Sequence, residues 1–439
     1  MTSPSIVWFR DDLRLADNPA LRAAVDRDEP IIALFVLDEE SPGIRRLGGA
    51  ARWWLHHSLA SLAARLQEKG TTLVLRRGPA DRIVRELVAE SGAGAVFWNR
   101  RYEAAGREID AGLKATLRDD GLQVASFAGS LLHEPWTVTT GSGTHYSVFT
   151  PFWRACLALP APRAPLPEPR ELPGAGKRLS SDALDDWGLL PTAPDWAGGL
   201  RETWEPGEPA ARRRLQHFLA DDIRTYDHAR DAPAAGATSR LSPRLRWGEL
   251  SPFTVWHEAI EVDGAGGFLS ELGWREFAWH TLFHFPDLAT KNLRREFDAF
   301  PWPPLDPARL ELWQHGETGV PLVDAGMREL WHTGYMHNRA PVPPPRTPDR
   351  SQTQTPDRPD PGPCSSARPR DGCTRKPGVR SCIRPGVVQS DRRSPTDHGP
   401  RTIRAGMVTS MYCALDVIVN IPSSSVLLPN SSINFSVNR

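Results

Sequence analysis

The 439-residue sequence predicts an N-terminal α/β domain built on a doubly wound parallel sheet, followed by an all-helical domain and an unfolded tail. Three observations carry that expectation. Short apolar runs alternate with amphipathic stretches over the first 130 or so residues. A Pro-rich, irregular stretch then separates them from a region with helical periodicity. After Arg339 periodicity and tryptophan both vanish.

The runs SIVWF (5–9), IIALFVL (31–37), TTLVLR (71–76), AVFWN (95–99) and LQVASF (122–127) are short and rich in Val, Ile and Phe, as strands buried on both faces are. Between them, Leu55, Leu59, Leu62 and Leu66 recur at helical steps, and Ile83, Leu87 and Val88 do the same. Strand–helix alternation of this kind gives a parallel sheet with a ligand crevice at the strand carboxyl ends. The sequence thus divides into an α/β domain over 1–135, a connector over 136–209, a helical domain over 210–339 and a tail over 340–439. The stretch LPAPRAPLPEPRELPGAG marks the connector. Leu215, Phe218, Leu219 and Ile223, then Leu269, Leu272, Phe277 and Leu282, mark the helical domain. The tail is dominated by Pro, Arg, Ser and Thr, and cannot bury enough apolar surface to offset chain entropy, so it is expected to be disordered.

The overall charge is zero, but it divides unevenly. Residues 340–439 carry 14 Lys and Arg against 7 Asp and Glu, whereas the preceding residues carry 39 against 46. Global charge therefore supplies no pull on nucleic acid, and such a partner requires a local basic face. One cysteine, Cys156, precedes Arg339, so no disulfide framework is expected there. No leader and no membrane-spanning run is read, so a cytoplasmic protein, a monomer without a metal site, is expected.

Four stretches carry candidate chemistry. In YDHARDAPAAGATSRLSP (226–243), Thr238, Ser239, Arg240, Leu241 and Ser242 follow a glycine. Short hydroxyls and backbone N–H groups can cradle phosphate there, and an ordinary loop with Ser242 as a helix cap fits as well. In ELGWREFAWH (271–280), Glu271, Trp274 and Arg275 share one helical face, as a ligand cluster or as an ion pair beside core aromatics. In GYMHNR (334–339), Asn338 is costly in an apolar setting unless its amide is satisfied, and a capping role is the alternative. In VWFRDDLRLADNPAL (7–21) the charge run is a pocket wall or, more often for such runs, a solvated turn.

These stretches occur in one order together with GSLLHEPW (129–136), VFTPFWRA (148–155), EFDAFPW (296–302) and GVPLVDAGMREL (319–330). From about residue 4 to Arg339 the chain resembles the photolyase/cryptochrome family of blue-light flavoproteins. The resemblance implies FAD as cofactor, held by Tyr226, by Thr238 to Ser242 and by Arg275. It also implies UV-damaged DNA carrying a pyrimidine dimer as partner. Glu271 then resembles the carboxyl group that stabilises the dimer radical anion, Trp274 the indole on which the dimer stacks, and Asn338 the amide between flavin and dimer. Arg230 and Arg339 resemble DNA-contacting residues, and Trp302 the outermost member of an electron-transfer tryptophan chain. Trp274 sets the chain apart from plant-type cryptochromes, and Asn338 from the (6-4) branch, which implies cyclobutane-dimer repair. A light sensor and an inactive remnant are the alternatives. YEAAGREID (102–110) lacks the Asn-Glu pair that binds a folate antenna in some relatives, which leaves folate, a deazaflavin or no antenna. Nothing after Arg339 resembles the remainder of the family's flavin domain.

Overall fold

The computed structural model describes residues 3–340 apart from 177, 302, 303 and 305. The disordered-tail expectation and Trp302 therefore lie outside the described residues.

Five parallel strands and four helices form the first part: β1 (Ser5–Phe9), α1 (Pro19–Val25), β2 (Ile31–Leu37), α2 (Gly49–Glu68), β3 (Leu73–Arg77), α3 (Ala80–Ser91), β4 (Ala95–Asn99), α4 (Ala104–Asp119) and β5 (Gln123–Phe127). The strand order is β3-β2-β1-β4-β5, with Ile6 level with Ile32 on one side and Val96 on the other. Alternation along each strand divides the side chains between two cores. Val7, Phe9, Ala33, Phe35 and Phe97 meet Leu21 of α1 and Leu55, Leu59 and Leu62 of α2. Ile6, Trp8, Leu34, Val96 and Trp98 meet Ile83, Val84 and Leu87 of α3 and Leu113 and Leu117 of α4. This is why the strands read as continuous apolar runs.

Two strands begin later than the apolar runs suggest. Thr71 still closes α2: its N–H bonds Leu66 O at 3.0 Å and its hydroxyl bonds Ile31 O at 3.0 Å. Leu122 likewise bonds Leu117 O and belongs to the end of α4.

The connector is docked rather than free. Leu172 is fully buried, its N–H bonds Lys69 O at 2.7 Å, and Gly174 makes a parallel bridge to Ile31. The connector also carries α5 (Phe149–Ala158) and α6 (Gly198–Thr203). Phe149, Phe152 and Cys156 of α5 form an apolar cluster with Phe277 of the helical part.

The helical part runs through α7 (Glu208–His217), α8 (Tyr226–Ala229), α9 (Ser242–Arg246), α10 (Pro252–Ile260), α11 (Gly266–His284), α12 (Pro307–His315) and α13 (Pro321–Thr333). Leu215, Phe218 and Ile223 are fully buried, although the helix they continue gives way to a π-helical turn at Phe218–Asp222. Ser251 caps α10 by accepting from Phe253 N–H, and Gly334 at φ 69° ends α13.

The charge run after β1 is a correction to the sequence reading. Arg10, Asp12, Arg14 and Asp17 are all buried. The run sits at the carboxyl end of the sheet, between the sheet and the helical part, where it meets loop carbonyls and N–H groups. Arg14 donates to Asp17 O, to Gly129 O at 2.6 Å and to Gly248 O at 3.0 Å. Asp11 pairs with Arg101 at 3.0 Å and with Arg246 of α9 at 2.7 Å. Although burial raises the Asp11 pKa, these two cations hold it well below the usual carboxylate range. Returning the seam, the Glu208 carboxylate accepts from Leu15 N–H at 2.8 Å and Ala16 N–H at 3.0 Å. Buried charge is tolerable here because each of these groups is hydrogen-bonded, and Arg10, Asp11 and Asp17 are ion-paired as well.

Candidate functional site

Three segments converge on α11. Glu271, Trp274 and Arg275 lie in its middle, each half-buried. The Glu271 carboxylate accepts from the Arg230 guanidinium, just beyond α8, and that guanidinium lies 5.7 Å from the ring centre of Tyr226 of α8. Burial, with the Glu271 charge second, pushes the Tyr226 phenol well up, so it stays neutral. On the other side of Arg230, Asp231 lies 4.0 Å from its Nε and accepts from Arg339 Nε at 2.8 Å. The result is a row of alternating charges, Arg339–Asp231–Arg230–Glu271, that draws the segment at 335–339 towards α11.

Trp274 is held by stacking. Its ring lies 3.8 Å from that of Phe149, at 11° between planes, and Trp153 lies 6.4 Å from Phe149, also at 11°. Gly273 permits that approach, because a Cβ there would stand 2.6 Å from the Trp153 ring. The indole therefore has one face fixed on α5 while its other atoms remain partly exposed.

Arg275 does not join Tyr226 and Arg230. It is placed beside Glu276, with Nη1 to Oε1 at 3.3 Å, and faces Tyr102 and Arg14 across the domain seam. Glu276 itself accepts from Leu132 N–H at 2.9 Å and His133 N–H at 3.2 Å. Burial pushes its carboxyl up to about 7, even though Arg275 and the two N–H groups oppose the shift.

The segment 238–242 has the form of an anion cradle. Arg214 takes the carbonyls of Thr238 and Ser239 at 3.0 and 2.9 Å. Each peptide N–H points opposite to its carbonyl, so the donors of Ser239 and Arg240 are turned to the other side. Arg240 stands at φ 53°, a conformation that L side chains seldom adopt, with its guanidinium 5.1 Å from the Tyr335 ring centre. The Thr238 hydroxyl meets the Tyr335 hydroxyl at 3.0 Å. Ser242 is the first residue of α9 and makes no capping hydrogen bond, so it is not the side-chain cap that the loop reading offered. Leu241 is buried and anchors the cradle to the helical core.

Asn338 is not a cap either. Gly334 ends α13, and Asn338 follows in a turn with its Oδ1 buried and without a hydrogen-bond partner among the described residues. An unpartnered amide oxygen, in a turn that Tyr335 ties to the 238–242 segment, leaves an acceptor for a polar ring system, which fits a flavin nucleotide. Thr238, Ser239 and the turned N–H groups are the donors that this segment offers.

Sequence reading missed Asp231, Phe149, Trp153 and Tyr335. Aromatic residues in WRA and GYM give no local sign of their partners. Asp231 follows Arg230 directly, and that Arg-Asp pair was the signal available. The histidines His145, His280 and His284 also cluster, with ring centres 4.6 to 5.1 Å apart. Among the described residues no group of three or more His, Cys, Asp or Glu could hold a metal ion, and no helix is long and apolar enough to cross a membrane.

Known proteins resemble this chain over most of the described residues. Residues 5–170 match the family model for DNA photolyase, and residues 268–342 match that for the FAD binding domain of DNA photolyase. The deoxyribodipyrimidine photo-lyase of Agrobacterium fabrum is 49% identical over 344 residues, which cover 77% of this chain and 71% of that one. Cryptochrome-1 of Arabidopsis thaliana is 38% identical over 355 residues, covering 76% of this chain and 51% of that protein. The crystal structure of a bacterial class III photolyase from Agrobacterium tumefaciens superposes with a TM-score of 0.74 at 47% identity, over 77% of this chain and 71% of that one.

Proposed function

The chain belongs to the DNA photolyase family, and from that premise we propose that it repairs cyclobutane pyrimidine dimers in UV-damaged DNA, with FAD as the light-absorbing cofactor. What supports this reading is the linkage of the 335–339 turn to α11 through Arg339–Asp231 and Arg230–Glu271 and to the 238–242 segment through Tyr335–Thr238, with Trp274 one turn along α11 from Glu271. Bound FAD supplies the light-driven electron that the splitting reaction borrows and recovers.

The chain's residues supply position and electrostatics. Trp274, already stacked on Phe149, offers a flat apolar surface to a flipped-out dimer. Base–aromatic stacking is worth roughly 1–3 kcal/mol per base, enough to offset the few kcal/mol that flipping costs at a weakly paired lesion. Glu271 would release Arg230 and hydrogen-bond the dimer, while Arg230 and Arg339 take backbone phosphates. Asn338 would present its free amide to flavin and dimer together. Arg275, held by Glu276 at the seam, would support the site from behind. An antenna chromophore would find an aromatic lining where Trp136, nearly half exposed, stands 5.5 Å from Phe283 and 6.4 Å from Tyr102.

The test is light-dependent loss of dimers from an irradiated oligonucleotide, in the presence of reductant and the purified chain with FAD. Loss in light and none in darkness supports repair. Flavin photochemistry without dimer loss would instead favour a light sensor, a reading that the similarity to a cryptochrome keeps in view.

A further inference from the structure

The row Arg339–Asp231–Arg230–Glu271 contains two cations and two anions, so the face assigned to DNA carries no net positive charge where its two arginines stand. Asp231 is the unexplained member. Its side chain is 57% exposed, and the hydrogen bonds it receives come from Arg339, 108 residues away. It caps no helix and pins no backbone N–H among the described residues. Glu271 has a second task in the proposed reaction; Asp231 has none.

We propose that Asp231 is an internal counter-ion that occupies the phosphate sites of Arg339 and Arg230 in the free protein, and so sets the affinity and salt dependence of DNA binding. This rests on the reading that this face takes DNA. A backbone phosphate arriving at Arg339 must displace a carboxylate that already satisfies the guanidinium, and it must then sit near that displaced negative charge. Both effects oppose every DNA strand alike, because phosphates carry no sequence or lesion information. Exposed ion pairs are weak individually, so the barrier is small and reversible. The opposite role for the same residue would be to hold Arg339 in place, and the two roles predict opposite signs.

The experiment is fluorescence anisotropy of the full chain with a labelled thymine oligonucleotide, undamaged or dimer-containing, from about 50 to about 200 mM salt. The variants are Asp231→Asn, Asp231→Glu and Arg339→Gln. Removing the counter-ion should tighten binding to both oligonucleotides by about 2- to 5-fold at low salt and steepen the salt slope by up to about one. Asp231→Glu should behave like the parent, and the Asn effect should shrink in an Arg339→Gln background. If Arg339→Gln weakens binding while Asp231→Asn leaves it unchanged or weaker, the proposal is overturned and the DNA face stands. If Arg339→Gln leaves binding unaltered, the DNA face itself is wrong and the proposal falls with it.

Discussion

Replacing Arg14 by methionine tests what holds the two halves of the molecule together. Arg14 is 1% exposed and sends its guanidinium to three carbonyls: Asp17 at 2.9 and 3.2 Å, Gly129 at 2.6 Å and Gly248 at 3.0 Å. These lie in the loop after β1, just after β5 and between α9 and α10, so one side chain joins three segments. Methionine is of similar length and leaves little cavity, but it can donate nothing. Three buried carbonyls then lose charge-assisted partners, and each orphaned group costs about 1–3 kcal/mol. Relief from burying the cation returns part of that. The balance is a loss of about 3–5 kcal/mol from a total that for a typical domain is about 5–15 kcal/mol. Denaturant unfolding followed by tryptophan emission reads it directly. Arg14→Lys should recover a minor part, because a single ammonium cannot span three carbonyls in separate segments. A shift of less than about 1 kcal/mol for Arg14→Met would refute the claim that this seam depends on charge-assisted carbonyl contacts.

Further predictions concern the site and its supports. Gly248→Ala should destabilise by more than about 1 kcal/mol, because Gly248 stands at φ 62° and a Cβ would run into the Asp11 carbonyl; unchanged melting would contradict this. Glu276 gains pKa on folding, so its contribution is complete below its ordinary value of 4.5 and is lost as pH rises through about 7. Glu276→Gln mimics the protonated acid, so the stability gap between variant and parent should change in the variant's favour from about pH 5 to pH 8. A gap that stays flat over that range would mean that the carboxyl is not held protonated. Trp274→Ala should weaken binding of dimer-containing DNA by about 10- to 100-fold and that of undamaged DNA far less, measured by competition.

The architecture of the first part was readable because parallel strands buried on both faces leave continuous apolar runs, and all five runs became strands. Their starts shifted at Thr71 and Leu122, because helix-closing hydrogen bonds there outrank β preference. The charge run from Arg10 to Asp17 misled for a different reason. Its burial depends on partners such as Gly248, 234 residues from Arg14, and local patterning cannot register that. Glu271, Trp274, Arg230, Thr238 and Asn338 were all visible as motif members; the structure pairs Arg230 with Glu271 and ties Thr238 to Tyr335, three residues before Asn338. Arg275 was visible too, but its side chain turns to the seam and Glu276. Asp231 escaped notice because its meaning lies in Arg339, which only the fold brings near.

The most direct measurement is the absorbance spectrum of the purified chain, with the released cofactor identified and quantified. Residues 268–342 match the FAD binding domain, while the aligned residues span 71% of the Agrobacterium fabrum protein. The account predicts flavin absorbance that co-purifies with the chain, yields FAD on denaturation, and falls when Thr238 and Ser239 are both changed to alanine. A folded, colourless chain that takes up no added FAD would contradict it.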